Sequence, residues 1–138
     1  MSEIKTNKLT GTSTAGSISV TGEGNSTTTN LQQGLAKVFC AYQMSTSNAI
    51  NGSFNVSSQT DTATGHSTLA YTNNMSAAGE YAAHGMSSDQ NYMCANQGRT
   101  AAAGPALTTS DGDFSCVSDA GADKDSNINL ISIHGDLA

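Results

Sequence analysis

Apolar and polar residues alternate over short segments of this chain, and residues 35–44 show the pattern best. In an extended strand, Leu35 and Phe39 fall on one face, whereas Val38 and Tyr42 fall on the other. Both faces are therefore largely apolar. A strand of this kind is buried on both sides, so we predict that it is central in a sheet or lies at a subunit interface.

The next segments predict a hairpin or meander. Residues 54–58 alternate as an amphipathic strand that covers a core with one face. A polar, glycine-containing turn is predicted at residues 63–66, and a returning strand at 67–71 places Leu69 and Tyr71 on one face.

Further short strands are predicted along the rest of the chain. Residues 75–85 are assigned a turn followed by a strand at 81–85, and another strand is predicted at 92–96 before a loop at 97–105. Residues 107–117 favour a hairpin in which Asp-Gly at 111 and 112 forms a two-residue turn. Residues 127–135 carry apolar side chains on both faces, so we expect them to be buried.

The first 29 residues are a low-complexity lead-in that we treat as an N-terminal docking arm, with residues 30–138 as the body. Segments 4–9 and 17–21 read as two short strands with few apolar side chains. A hairpin this poor in apolar residues is not stable alone, so it must pack on its own body, on a neighbouring subunit or on a docking platform. The candidates for this docking are the apolar side chains Ile4, Leu9, Ile18 and Val20.

Eight to ten short strands with frequent turns predict an all-β fold, a small antiparallel β-sandwich or barrel with an N-terminal β-hairpin arm. Apolar residues make up 36% of the chain and charged residues only 12%. Ser, Thr, Asn and Gly together approach half of the chain, as suits polar-faced strands and turns. Because so little apolar area is available, we expect an obligate oligomer.

Charge and cysteine content narrow the possible partners and compartments. A net charge of −6 argues against a nucleic-acid or anionic-membrane partner. The polar start predicts no signal peptide, and no apolar run is long enough for a membrane span. The three cysteines lack metal-binding spacing, so we interpret them mainly as reduced core residues, with one disulfide as the alternative.

Acidic residues concentrate in the last third of the chain, and residues 123–127 resemble the opening of a calcium loop. The EF-hand pattern then fails, since Ile128 stands where glycine is required and His134 where the bidentate glutamate belongs. We interpret these acids as solvated loop residues. A divalent-cation site remains the alternative.

No motif in the sequence predicts catalysis, and we expect neither catalytic residues nor a cofactor. The histidines, His66, His84 and His134, fall on separate strands or strand ends, and no nucleophile elbow is present. Carbohydrate binding is a stronger alternative because sugars stack on aromatic rings. The chain has no Trp, however, and its four tyrosines are also its best core-filling residues.

Several of these segments resemble short virion structural proteins of marine bacteriophages, the tail-fibre-like proteins of phages of cyanobacteria and related hosts. The similarity lies in the Gly-Leu-Ala-Lys strand, the Ser-Phe-Asn-Val-Ser-Ser strand, the following turn and the returning strand, at residues 34–37, 53–58, 61–65 and 67–72. Glu80-Tyr81-Ala82 matches a later strand, and residues 4–20 resemble the shared start of phage appendage proteins. Many relatives have a Trp-containing strand where this chain has Val38-Phe39-Cys40.

The resemblance implies a non-enzymatic virion protein, made in the host cytoplasm and exposed on the particle as a tail-fibre or tail-appendage component. Its expected partners are its own copies in a homotrimer, other virion proteins and a host surface glycan. A capsid decoration protein and a carbohydrate-binding module are the alternatives. The expected subunit-interface residues lie on the two segments that are apolar on both faces: Leu35, Val38, Phe39, Tyr42, Ile128, Leu130, Ile131 and Ile133.

Overall fold

The computed structural model describes residues 3–11, 18–21, 28–87, 92–95 and 107–138. The side chains of residues 32, 33 and 92–95 are outside this description. One helical turn, α1 (Leu31–Gly34), accompanies the strands. The described strands are β1 (Ser19–Thr21), β2 (Thr28–Asn30), β3 (Ala36–Gln43), β4 (Ala49–Phe54), β5 (Val56–Ala63), β6 (His66–Tyr71), β7 (Ala82–Ser87), β8 (Tyr92–Ala95), β9 (Asp111–Ser118) and β10 (Asn129–His134).

The predicted all-β class is confirmed, and the body is a sandwich of two four-stranded antiparallel sheets, not a closed barrel. One sheet has the order β4-β3-β10-β7 and is called the β3 sheet below. The other, the β6 sheet, has the order β5-β6-β9-β8. The predicted strands at 35–44, 67–71, 81–85, 92–96 and 127–135 match β3, β6, β7, β8 and β10 to within two residues.

The hydrophobic core fills the space between the two sheets. The β3 sheet contributes Val38, Tyr42 and Ile133, which are fully buried, and the β6 sheet contributes Leu69 and Phe114. A buried hydrogen bond from the Ser67 hydroxyl to the Tyr42 hydroxyl, 2.9 Å long, satisfies a polar group at the centre of this layer. Alternation along β3 and β10 thus places Val38, Tyr42 and Ile133 on the inward face of their sheet.

A sharp corner at Asn55 carries the chain from one sheet to the other. Its φ of 60° is left-handed, which asparagine tolerates better than most residues. The Asn55 side chain accepts a hydrogen bond from the Asn73 backbone N–H (2.7 Å) and donates one to the Asn73 carbonyl (3.1 Å). The prediction of one continuous strand at 54–58 is therefore wrong, because Phe54 ends β4 and Val56 begins β5 in the opposite sheet.

The turn after β5 is confirmed at Thr64 and Gly65, but the predicted Asp111-Gly112 turn is wrong. Asp111 and Gly112 begin β9, and the chain reverses just before them, where the Thr108 N–H bonds to the Asp111 carbonyl at 3.0 Å. Gly112 is needed for space, since a Cβ at this position would collide with the Tyr71 hydroxyl.

The described N-terminal residues differ from the predicted arm. Residues 4–9 form no strand, and β1 pairs with β2, not with this segment. The hairpin therefore spans the predicted boundary between residues 29 and 30. The predicted loop at 97–105 lies outside the described residues.

Cys40 and Cys116 are buried in the core, in agreement with their predicted role as small core residues, and the side chain of Cys94 lies outside the described residues. Burial raises the pKa of the Cys40 thiol from 9.0 to about 11. The pKa of Tyr71 is also raised, first by burial and then by its hydrogen bond with Tyr81. These groups lie in the core, so the folded state holds their protons more tightly than the unfolded chain does.

We expect the protein to lose stability as the pH rises from 9 to 11. Below pH 9 the Cys40 thiol is protonated in both states, so its contribution is fully present there. Between pH 9 and 11 the unfolded chain releases this proton more readily than the folded chain, which costs the fold about 2 kcal/mol by pH 11. Denaturant midpoints measured across this range would show the decline. A Cys40→Ala variant should show a shallower slope, and equal slopes would contradict the assignment.

Candidate interaction surface

The outer face of the β3 sheet carries a patch of exposed apolar side chains. Cross-strand register places Phe54, Phe39, Ser132 and His84 in one row across the four strands. The neighbouring row runs Gly52, Ala41, Leu130 and Met86. Phe54 is 58% exposed and Met86 64% exposed, so the large apolar side chains on the two edge strands of the patch are the least covered.

A groove of about 290 Å³ crosses this patch over Ser132. Phe39 on β3 forms one wall and His84 on β7 forms the other, while Leu130 and Met86 close one end. The groove exists because Ser132 is small and stands between two aromatic side chains in the same row. Its lining is almost entirely apolar, which suits an apolar side chain better than a sugar.

Charge is distributed unequally between the two sheets. The four strands of the β3 sheet contain no Asp or Glu, whereas β5 contains Asp61 and β9 contains Asp111 and Asp113. The acidic loop at 119–125 follows β9 and joins it through a bridge between Val117 and Asp123. The outer face of the β3 sheet is thus free of carboxylates in a chain of net charge −6.

The eight residues predicted for a subunit interface divide equally between core and surface. Val38, Tyr42, Ile131 and Ile133 are at most 1% exposed and pack between the sheets, so they are core residues of the single chain. The others remain on the surface with exposed fractions between 37% and 53%: Leu35, Phe39, Ile128 and Leu130. The expectation that 127–135 is buried is therefore wrong for Ile128 and Leu130.

Phe54 and Met86 were not among the predicted surface residues. Phe54 was assigned to a strand covering the core, an error that follows from the corner at Asn55. Met86 lies one residue beyond the predicted strand. In both strands the alternation, once given the correct bounds, places these side chains on the outer face.

Three of the four predicted docking residues are exposed in the described part of the chain. Ile4 is 90%, Leu9 61% and Val20 51% exposed, and Ile18 is partly buried. Val20 lies on β1, and the Leu31 N–H bonds to the Ile18 carbonyl (2.9 Å), so the hairpin is tied to the helical turn that precedes β3.

Among the described residues, Ser132 and His134 come closest to a nucleophile paired with a base. The Ser132 hydroxyl lies 3.3 Å from His134 Nε2, and the His84 ring meets the His134 ring edge-on with centroids 6.3 Å apart. Within the described ranges, no carboxylate is hydrogen-bonded to His134. The third member of a catalytic triad is therefore missing from this cluster.

Two carboxylates of the acidic loop contact residues at the β5–β6 turn. Asp125 Oδ1 accepts a hydrogen bond from the Gly65 N–H (2.6 Å), and Asp123 Oδ2 lies 3.3 Å from His66 Nε2. These carboxylates contact different groups, and the described part of the chain holds no cluster of three or more His, Cys, Asp or Glu suited to a metal ion. The interpretation of these acids as merely solvated is wrong for Asp123 and Asp125.

The three tyrosines whose side chains are described do not form an exposed sugar-binding platform. Tyr42, Tyr71 and Tyr81 are at most 9% exposed, and the Tyr81 hydroxyl donates a hydrogen bond to the Thr108 carbonyl (2.9 Å). The side chain of Tyr92 lies outside the described residues. The exposed aromatic side chains of the described chain are Phe39 and Phe54, on the outer face of the β3 sheet.

No protein-family model, curated protein or solved structure matches this chain. Within the described residues, no helix has the length and the apolar character needed to span a bilayer. Arguments about function therefore rest on the residues and on the geometry given above.

Proposed function

We propose that this chain is a non-enzymatic structural protein of a bacteriophage virion, exposed on the particle as a tail-fibre or tail-appendage component. The observation that carries the proposal is the uncovered apolar outer face of the β3 sheet. A face of this kind is typical of a surface used in assembly. Of the segments that resemble phage appendage proteins, residues 36 and 37 lie in β3 and residues 53 and 54 in β4, whereas residues 56–58 lie in β5 of the opposite sheet.

The proposed mechanism is geometric. The N-terminal residues, including Ile4, Leu9 and Val20, dock the chain onto the particle through exposed apolar side chains. The sandwich assembles with two further copies into a homotrimer by covering the outer face of the β3 sheet. The acidic and hydroxyl-rich β6 sheet then faces water or a cell-surface glycan.

The location of the chain in the particle tests this proposal. Antibodies against the purified protein would be applied to virions produced from the genome that encodes it, and the bound label would be seen by electron microscopy. Labelling of the tail, at a few copies per particle, supports the proposal. Dense labelling over the capsid would replace it with capsid decoration, and virions without the protein would overturn both.

A glycan array with the purified protein provides a separate measurement. The groove has an apolar lining and the described tyrosines are buried, so we expect no glycan to depend on Phe39 for binding. A glycan bound by the wild type and lost in a Phe39→Ser variant would instead support a carbohydrate-binding module.

A further inference from the structure

We propose that Phe54 of one copy seats in the groove over Ser132 of a second copy, in a head-to-tail contact that closes into the trimer. The inference deepens the proposed function, since it rests on self-assembly and names the surfaces that meet. The knob and the groove lie on the same face of the β3 sheet, at opposite ends of one cross-strand row.

The occupant is a second copy because one chain presents both complementary parts. Phe54 is at the β4 edge and is 58% exposed, although it is a large aromatic side chain. The groove lies toward the β7 edge, and Phe39 stands between it and the chain's own Phe54. With strands about 4.8 Å apart, Phe54 and the groove are separated by roughly two strand spacings. The knob therefore reaches a groove only on another molecule.

Size and chemistry fit a phenyl ring. A dry cavity of about 150 Å³ lined by apolar side chains is large enough for benzene. The groove over Ser132 encloses about 290 Å³ between Phe39 and His84, which leaves room for the Phe54 ring and its methylene. Rigid aromatic side chains that enter such grooves commonly dominate the energy of an interface.

Charge favours this contact over other arrangements of two copies. Each chain has a net charge of −6, so two molecules repel one another on approach. The repulsion is weakest where the outer faces of the β3 sheets meet, since their strands hold no carboxylate. Contact through the β6 sheets would bring Asp111 and Asp113 of both copies together.

The knob and groove are different patches, so the contact is heterologous, and such contacts form a closed ring when the rotation between copies divides a full turn. Three copies would then place three β3 sheets around a common axis, with each β4 edge against the β7 edge of the next. Leu130 and Ala41 of each copy face that axis.

Two single variants and their mixture test the proposal. Phe54→Ser removes the knob and keeps the groove, whereas Ser132→Phe fills the groove and keeps the knob. Light scattering should show the wild type at three times 14.0 kDa and each variant alone at 14.0 kDa. Mixed in equal amounts, the variants should form a one-to-one complex, because one intact knob meets one intact groove.

Thr60→Phe is the matched control for Ser132→Phe, since it adds the same ring at an exposed position of the β6 sheet. It should leave the trimer intact. Circular dichroism and thermal unfolding of every variant would verify that these surface changes leave the sandwich folded. We expect Phe54→Ser to weaken association by about thirty-fold or more.

Three results would overturn the inference: a monomeric wild type, variants that stay trimeric, or a mixture that stays monomeric. Variants that remain trimeric would show that the trimer contact lies on another surface. None of these results bears on the labelling of virions, so failure of the contact and failure of the proposed function are distinguishable.

Discussion

Gly65→Ala should destabilise the fold by about 4 kcal/mol. Gly65 has a φ of +72°, which costs a residue with a Cβ about 1–2 kcal/mol. The new Cβ would also lie 2.6 Å from the Cys116 carbonyl oxygen and 2.6 Å from the Lys124 nitrogen. Both are backbone atoms, so the acidic loop must shift and its hydrogen bonds to the turn weaken, at about 1 kcal/mol each.

Gly79→Ala is the matched control for this change. Gly79 has nearly the same φ, +76°, but nothing lies within 4 Å of a Cβ added there. Gly79→Ala should therefore lower the free energy of unfolding only by the conformational cost, about 1 kcal/mol. Urea unfolding of both variants measures the difference. If the two losses are equal, the close packing of the acidic loop on the β5–β6 turn contributes nothing to stability.

Ile131→Ala and Leu130→Ala should separate folding from assembly. Ile131 is 1% exposed in the core, so its truncation should cost roughly 2–5 kcal/mol in the free energy of unfolding. Leu130 is the preceding residue on the same strand, but it is 37% exposed on the outer face. Its truncation should cost less than about 1 kcal/mol in the monomer and should weaken self-association instead.

Unfolding at a protein concentration low enough to dissociate the oligomer gives the free energy of unfolding of each variant. Light scattering across a dilution series gives the strength of its self-association. Ile131→Ala should shift the unfolding midpoint most. A Leu130→Ala variant that is as unstable as Ile131→Ala, yet assembles normally, would show that Leu130 belongs to the fold and not to the interface.

The all-β class and most strands could be predicted because short alternating segments carry a local signal. The sheet order could not, because the partners of a strand are chosen by contacts distant in sequence. The corner at Asn55 illustrates the limit. Residues 54–58 alternate smoothly, and only the left-handed φ of Asn55 and its bonds to Asn73 divide them between two sheets.

The Asp111-Gly112 error has a similar origin. The dipeptide favours a two-residue turn locally, but the packing of Gly112 against Tyr71 and Phe114 requires it in a strand. Tertiary contacts override a local turn preference when they place a glycine where no side chain fits.

Half of the residues predicted for the interface lie on the surface, and the residue patterns of β3 and β10 explain why. Apolar residues on both faces of these strands indicate that both faces are covered, but they do not say by what. In the folded chain one face is covered by the opposite sheet, so Val38 and Ile131 become core residues. Phe39 and Leu130 remain available to something outside the chain.

The carboxylates of the strands lie on one of the two sheets, so the two outer faces of the sandwich differ in charge. An assembly that covers the β3 sheets would present the β6 sheets and the acidic loops to solvent, so that negative charge is concentrated on its exterior. Such assemblies should repel one another in dilute buffer, and this repulsion should weaken as salt screens the exterior or acid neutralises it. The same exterior should also repel anionic surfaces at low ionic strength and allow closer approach at high ionic strength.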